Sequence, residues 1–416
     1  PGEKSRACES GGTGEEMSDR SHVQPAPEGE FFENSRFNGL SLLCGLLGIV
    51  GLILSFVGAF ISPVQFSFSW LFGFTFFFTL CIGCLFWTIV HHVVDAEWSV
   101  VVRRQLENIA LLLPLMGVFS LPLWFWRKYL YRWMDIPRGV DPLLDAKHAY
   151  LNWQFFLFRA VFFFVALSLV AYFLRRYSIR QDRDGNPRFT LLMRKLSFVG
   201  LPIFALCLTF GAVDWLMSLN WHWFSTMWGP YIFAGTAGSS MSLLVLVTTA
   251  LRKAGYLKDV VTIEHYHIMG KWMLAFSVFW AYIGFSQYML YWYANIPEET
   301  QYFIVRNTAG WNVLNWILVI GRFFVPFSIL LMRSVKKKPT ALCLIAGWIL
   351  CMQLLDMYLI VLPSLHGTGI HLSILDFLPL LGIGGTLAFF YLRLVGNTSL
   401  FPVRDPRLIE SLRITN

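Results

Sequence analysis

Long apolar runs alternate with short polar connections along almost the whole chain. Ten of these runs are long enough for a bilayer-crossing helix, which needs roughly 20 residues. They fall at about 39–61, 66–90, 106–126, 153–174, 196–219, 229–251, 268–293, 311–333, 340–362 and 371–395. Composition supports the same reading. Only 14% of the residues are charged and 56% are hydrophobic, whereas a soluble domain carries about 25% charge. The pattern therefore predicts an all-α integral membrane protein with ten transmembrane helices. Residues 1–38 are polar and rich in Gly, Glu and Ser, which predicts a disordered tail. Met17 opens a stretch that reads as a plausible start, which leaves residues 1–16 as either an over-long gene reading or a processed extension. The membrane domain covers 39–395, and 396–416 form a second polar tail.

A net charge of +8 raises the question of nucleic acid. The Lys and Arg residues sit in the connections between apolar runs, with no basic stripe, so the charge reads as the positive-inside bias. Of the 33 Lys and Arg, 24 lie on the side that carries both termini and 6 on the other; Arg159, Lys271 and Arg322 lie within runs. That asymmetry predicts cytoplasmic termini. The connections 62–65, 220–228 and 363–370 carry no Lys or Arg. In the second of these, Trp221, Trp223 and Trp228 fit an interfacial aromatic belt.

Six of the seven Cys lie inside apolar runs, so no disulfide framework follows. Cys81 and Cys84 form a C-x-x-C in the middle of a run and read as small packing residues. No His lies deep in a run, no C-x-x-C-H occurs, and no Cys cluster suits an iron–sulfur centre. No metal site or covalently bound cofactor is therefore expected. Electron transfer across the membrane would require another chain.

The fourth and eighth runs share a motif. Asn152-Trp153 leads to Arg159, and Asn315-Trp316 leads to Arg322, both as N-W-x5-R. The runs that follow each carry one acid, Asp214 and Asp356, about two turns from the far end. Helices 2–5 (about 66–219) and 6–9 (about 229–362) thus read as parallel repeats related by an axis along the membrane normal. An ionised side chain at mid-bilayer costs about 2.5–3.5 kcal/mol on insertion scales. The repeat therefore predicts two ion pairs, Arg159–Asp214 and Arg322–Asp356. Each pair is either a lock for its bundle or a proton site tuned by its Arg.

Further ionisable residues gather at the two faces. On the termini side, His91 and Asp95 stand four apart, which on a helix gives them one face. Glu264, His267 and Lys271 follow a similar spacing. His titrates near neutral pH, so such groups suit a proton relay, but polar residues at a helix end account for them equally well. On the far side lie His366, His371, Asp376 and Tyr358. The helix centres between offer little beyond Cys207 and Thr209. The expectation is two proton half-channels that do not meet. The inner one draws on His91, Asp95, Glu264, His267 and Lys271. The outer one draws on Asp214, Asp356, Asp376, His371 and Tyr358.

Four stretches carry a resemblance: His91-His92 with WSVVVRR at 98–104, FGAVDWLMS at 210–218, HYHIMGK at 265–271 and FSQYMLYWYANIPEE at 285–299. Over about residues 37–400 the chain resembles the second NrfD-type membrane subunit of bacterial alternative complex III, a quinol:electron-acceptor oxidoreductase. The resemblance implies two four-helix bundles plus a flanking helix pair in the bacterial cytoplasmic membrane. It implies as partners a paralogous NrfD-like subunit, an iron–sulfur protein, and multihaem and monohaem c-type cytochromes. It places the quinone or menaquinone site in the paralogue rather than here, despite the subunit's quinone-binding label. Two other classes stay open. A secondary transporter would more commonly show inverted repeats and broken helices, and a passive structural anchor would leave the ionisable groups without a role.

Overall fold

The computed structural model describes residues 29–308, 310–367 and 369–415. Among them are ten helices long and apolar enough to span a bilayer: α1 Asn34–Ile61, α2 Pro63–Val93, α3 Glu97–Phe125, α4 Trp153–Asp184, α5 Arg188–Asn220, α6 Trp228–Lys253, α7 Ile263–Ala294, α8 Trp311–Leu331, α9 Pro339–Ser364 and α10 Ile374–Val395. Local chemistry sets several boundaries. Pro63 opens α2 at a position where its missing N–H costs nothing. The Asn152 side chain caps α4 by accepting from the Phe155 N–H, and Gly185 closes that helix at φ +66°. A capping box between Thr262 and His265 starts α7.

Three elements depart from the sequence reading. Helix α3 starts earlier than expected and is broken into Val100–Ala110, Leu113–Phe119 and Leu121–Phe125. Pro114 and Pro122 each sit in the first turn of a new segment, where they cannot continue the preceding ladder. Helix α10 was expected from residue 371. It instead begins as a 3-10 turn, Ile374–Asp376, so His371 precedes it. Helix α8 holds a π-helical turn at Ile320–Phe324. Pro326 lacks the N–H needed there, and the Trp348 indole donates to the Gly321 carbonyl at 2.6 Å.

Helices α2–α5 pack as one bundle and α6–α9 as another. The two meet along α2 and α6. A Cβ at Gly83 would lie 2.7 Å from Ser240 Cβ, so the seam closes only because that side chain is missing. Cys81 and Cys84, free thiols on the same helix, are fully buried. Helix α10 lies against α1 and α2. The α1–α10 contact is backbone on backbone: a Cβ at Gly51 would lie 2.4 Å from the Gly382 nitrogen, and one at Gly385 2.6 Å from the Gly48 nitrogen.

The expected disordered tail needs revision at 29–38; residues 1–28 lie outside the described residues. Phe31 and Ser399 form an antiparallel bridge, and the Leu400 N–H donates to the Glu30 carbonyl at 2.8 Å. The Glu30 carboxylate accepts from the Leu257 N–H at 2.7 Å. Both ends of the described chain therefore share one face. Residues 398–413 are a docked clasp rather than a free tail. Asp405 is buried and pairs with Arg103 at 2.6 Å, while Arg407 pairs with Asp95 at 2.8 Å.

Candidate functional site

Arg159 rises from the first turns of α4 and meets Asp214 near the far end of α5. Its Nε donates to Asp214 Oδ2 at 2.7 Å and its Nη2 to Oδ1 at 2.9 Å, a bidentate pair. Nη1 donates to the Tyr150 carbonyl, and the Tyr150 ring lies 3.8 Å from the guanidinium carbon. Both charged groups are buried, and Arg159 has a partner at each nitrogen. This geometry is that of a lock.

The second pair is looser. Arg322 sits on the π-helical turn of α8, and such turns re-aim side chains. Its Nε lies 3.9 Å from Asp356 Oδ2 on α9. Its Nη2 donates instead to the side-chain amide oxygen of Gln353, and Nη1 is buried without a hydrogen-bond partner among the described residues. Asp356 takes its hydrogen bonds from neutral donors: the Tyr231 hydroxyl at 2.6 Å and the Trp280 indole at 3.0 Å. The repeat is also unequal at its asparagines. Asn152 caps α4, whereas Asn315 lies inside α8 and donates to the Arg306 carbonyl at 2.5 Å.

Asp356 stands in the wall of a cavity of about 970 Å³ between α7 and α8. Aromatic rings form much of this wall, among them Trp228, Phe285, Trp316 and Phe323. Sequence reasoning missed the cavity, along with Tyr231, Trp280 and Gln353. One signal was available, since Gln353 stands three residues before Asp356 and so shares its helix face. The cavity itself needs five elements at once and has no linear signature.

The termini-side candidates do not form one relay. Helix α2 ends at Val93, and Asp95 takes a left-handed φ of +50°, so His91 and Asp95 do not share a helix face. His91 is enclosed by the rings of Trp87 and Trp98. Among the described residues no group hydrogen-bonds either ring nitrogen of His91 or of His92. Asp95 turns instead to Arg194 and Arg407, both at 2.8 Å. Glu264 bonds Lys337 and lies 3.7 Å from His267. Lys271 is exposed; burial and that ammonium together lower the pKa of the adjoining Lys336.

At the other face Asp376 closes a capping box with Ser373 and accepts from Gln65 at 2.8 Å and Ser69 at 2.5 Å, tying α10 to α2. His366 Nε2 bonds the side-chain amide oxygen of Gln65 at 2.9 Å, and the His366 and His371 rings stack at 5.4 Å. Burial and then His371 hold the His366 imidazole below its ordinary value. Tyr358 donates to the His371 carbonyl. Asp214, Asp356 and Asp376 thus occupy three separate surroundings rather than one file. The expected tryptophan belt is also revised. Trp223 and Trp228 are buried, Trp223 stacks on Tyr302 at 4.0 Å, and Trp221 donates to Asp141. Compared with known proteins, the chain matches no family model and no curated sequence.

Proposed function

We propose that this chain is a membrane subunit, without a redox centre of its own, of a quinol:acceptor oxidoreductase of the alternative complex III type. In this reading electrons pass through an iron–sulfur protein and c-type cytochromes, and the quinol site belongs to a paralogous NrfD-like subunit. The role of this chain is to hold protons near each face of the bilayer. The carrying observation is Asp356. It is a buried carboxylate bonded by a phenol and an indole, it is only loosely tied to Arg322, and it borders a lipid-facing cavity. Asp214, by contrast, is gripped by two nitrogens of one guanidinium, so Asp356 is the freer of the two carboxylates to exchange a proton. The waist between the faces favours separate half-channels. Ser239, Ser240 and Ser242 on α6 all donate to carbonyls of their own helix.

The transporter alternative gains the breaks in α3 and α8. It loses on the repeat, which runs parallel by sequence. Two measurements test the proposal. Purification of the chain in mild detergent should bring multihaem cytochrome with it; a chain that purifies alone in full yield overturns the assignment to this complex. In vesicles holding the assembled complex, Asp356→Asn should leave quinol oxidation normal and diminish proton movement. Unchanged proton movement would remove Asp356 from the path.

A further inference from the structure

Arg306 is the one basic residue of the connection between α7 and α8. It ends a short helix, Pro297–Arg306, and lines the cavity described above. It is 9% exposed, and its guanidinium carbon lies 3.5 Å from the centre of the Tyr302 ring. Its hydrogen bonds go to the carbonyls of Leu359, Tyr302 and Ile360. A guanidinium has five N–H groups, so donors remain. Among the described residues no carboxylate lies within 4.0 Å of it. Arg103, Arg104, Arg159 and Arg322 each face one, and Arg175 lies in the field of Glu107. Glu298 and Glu299 sit at the opposite end of the Arg306 helix, about 12 Å away by helical rise for Glu298. Asp356, the one carboxylate of the lining, is hydrogen-bonded by Tyr231 and Trp280 and lies 3.9 Å from Arg322 rather than on Arg306. A buried cation left without a counter-ion is costly, so Arg306 offers a positive charge that an anionic ligand can meet.

We propose that this cavity binds an anionic phospholipid, with the headgroup phosphate on Arg306 and an acyl chain along the aromatic wall. The assignment is independent of the respiratory reading above. Position supports it: Arg306 lies in the connection between the end of one candidate spanning helix and the start of the next. Asn307 and Asn312 add amides to the same rim. Below the rim the cavity opens sideways to the bilayer, where Tyr282, Phe285 and Trp316 are 63%, 65% and 66% exposed. A free aqueous anion would not need that apolar trough. The volume lies at the upper end of the range of about 300–1,000 Å³ for ligand pockets.

The test uses the purified full-length chain, delipidated in a neutral detergent and offered equal phosphatidylglycerol and phosphatidylcholine. Native mass spectrometry reads the lipids retained. Wild type should keep one phosphatidylglycerol in preference to phosphatidylcholine. Arg306→Gln should weaken that retention about tenfold, as expected for loss of a charged hydrogen bond, and abolish the preference. Ala281→Phe, which fills the cavity and spares the cation, should also lose the lipid. That variant decides the matter alone if Arg306→Gln fails to fold. Equal retention of both lipids by wild type overturns the proposal, as does wild-type retention by Ala281→Phe or by folded Arg306→Gln. Displacement of the lipid by millimolar inorganic phosphate alone overturns the lipid assignment in favour of a small anion.

Discussion

Asp214 receives two nitrogens of one guanidinium, whereas Asp356 divides its oxygens between a phenol and an indole. The two positions should therefore respond differently to the same substitution. Asp214→Asn leaves Arg159 buried without a counter-charge and should cost about 3–5 kcal/mol, the usual penalty for breaking a buried pair. Asp356→Asn should cost less, because Arg322 keeps its bond to Gln353. Thermal unfolding of the two purified variants in one detergent checks the order. Asp405 allows a pH prediction. Burial pushes its carboxyl up, but Arg103 and Arg407 outweigh burial and hold it well below the usual carboxylate range. Its stabilising contribution is complete above the ordinary carboxylate value near 3.9. It is lost as pH falls below that value toward the folded-state pKa. Hydrogen exchange across 398–413 should rise on acidification through that window, and Asp405→Asn should exchange fast at neutral pH already. The Arg–Asp partners were legible because type, spacing and direction repeat in the sequence. Arg306 and Tyr231 were not, because nothing local distinguishes a loop Arg or a helix Tyr from one that borders a cavity.

At the scale of helices, hydropathy locates the spans but not their interruptions. The breaks in α3 follow from Pro114 and Pro122, yet both prolines stand inside an apolar run that reads as continuous. The clasp was hidden for a different reason. Residues 396–416 are polar and read as solvated, and the partner of Asp405 lies 302 positions away. The α1–α10 contact makes a sharp test of packing. Gly51→Leu would drive a side chain into the α10 backbone. It should cost about 1–3 kcal/mol, in the range for overpacked contacts. Gly39 on the same helix has nothing within 4 Å of an added Cβ, so Gly39→Ala should be near neutral. Chemical denaturation of the two variants separates a specific contact from a general intolerance of change in α1.

For the whole molecule, ten candidate spans and the Phe31–Ser399 bridge put both ends of the described chain on one face, and the Lys and Arg distribution predicts that this face is cytoplasmic. A reporter fused after Asn416 should be active in the cytoplasm; activity on the opposite side would invert both sets of ionisable groups. The bridge also bears on how the chain is made. Glu30 and Phe31 are among the first described residues to leave the ribosome, and Ser399, Leu400 and Asp405 are among the last. The face they close cannot be completed until the tenth helix has been inserted, so synthesis itself times the final step. A nascent chain stalled before residue 398 leaves Arg103, Gln105 and Asp95 without Asp405, the Leu400 carbonyl and Arg407. Each keeps one other partner, Glu107 for Arg103, Tyr391 for Gln105 and Arg194 for Asp95, so the missing contacts mark an unfinished protein without stripping these groups bare.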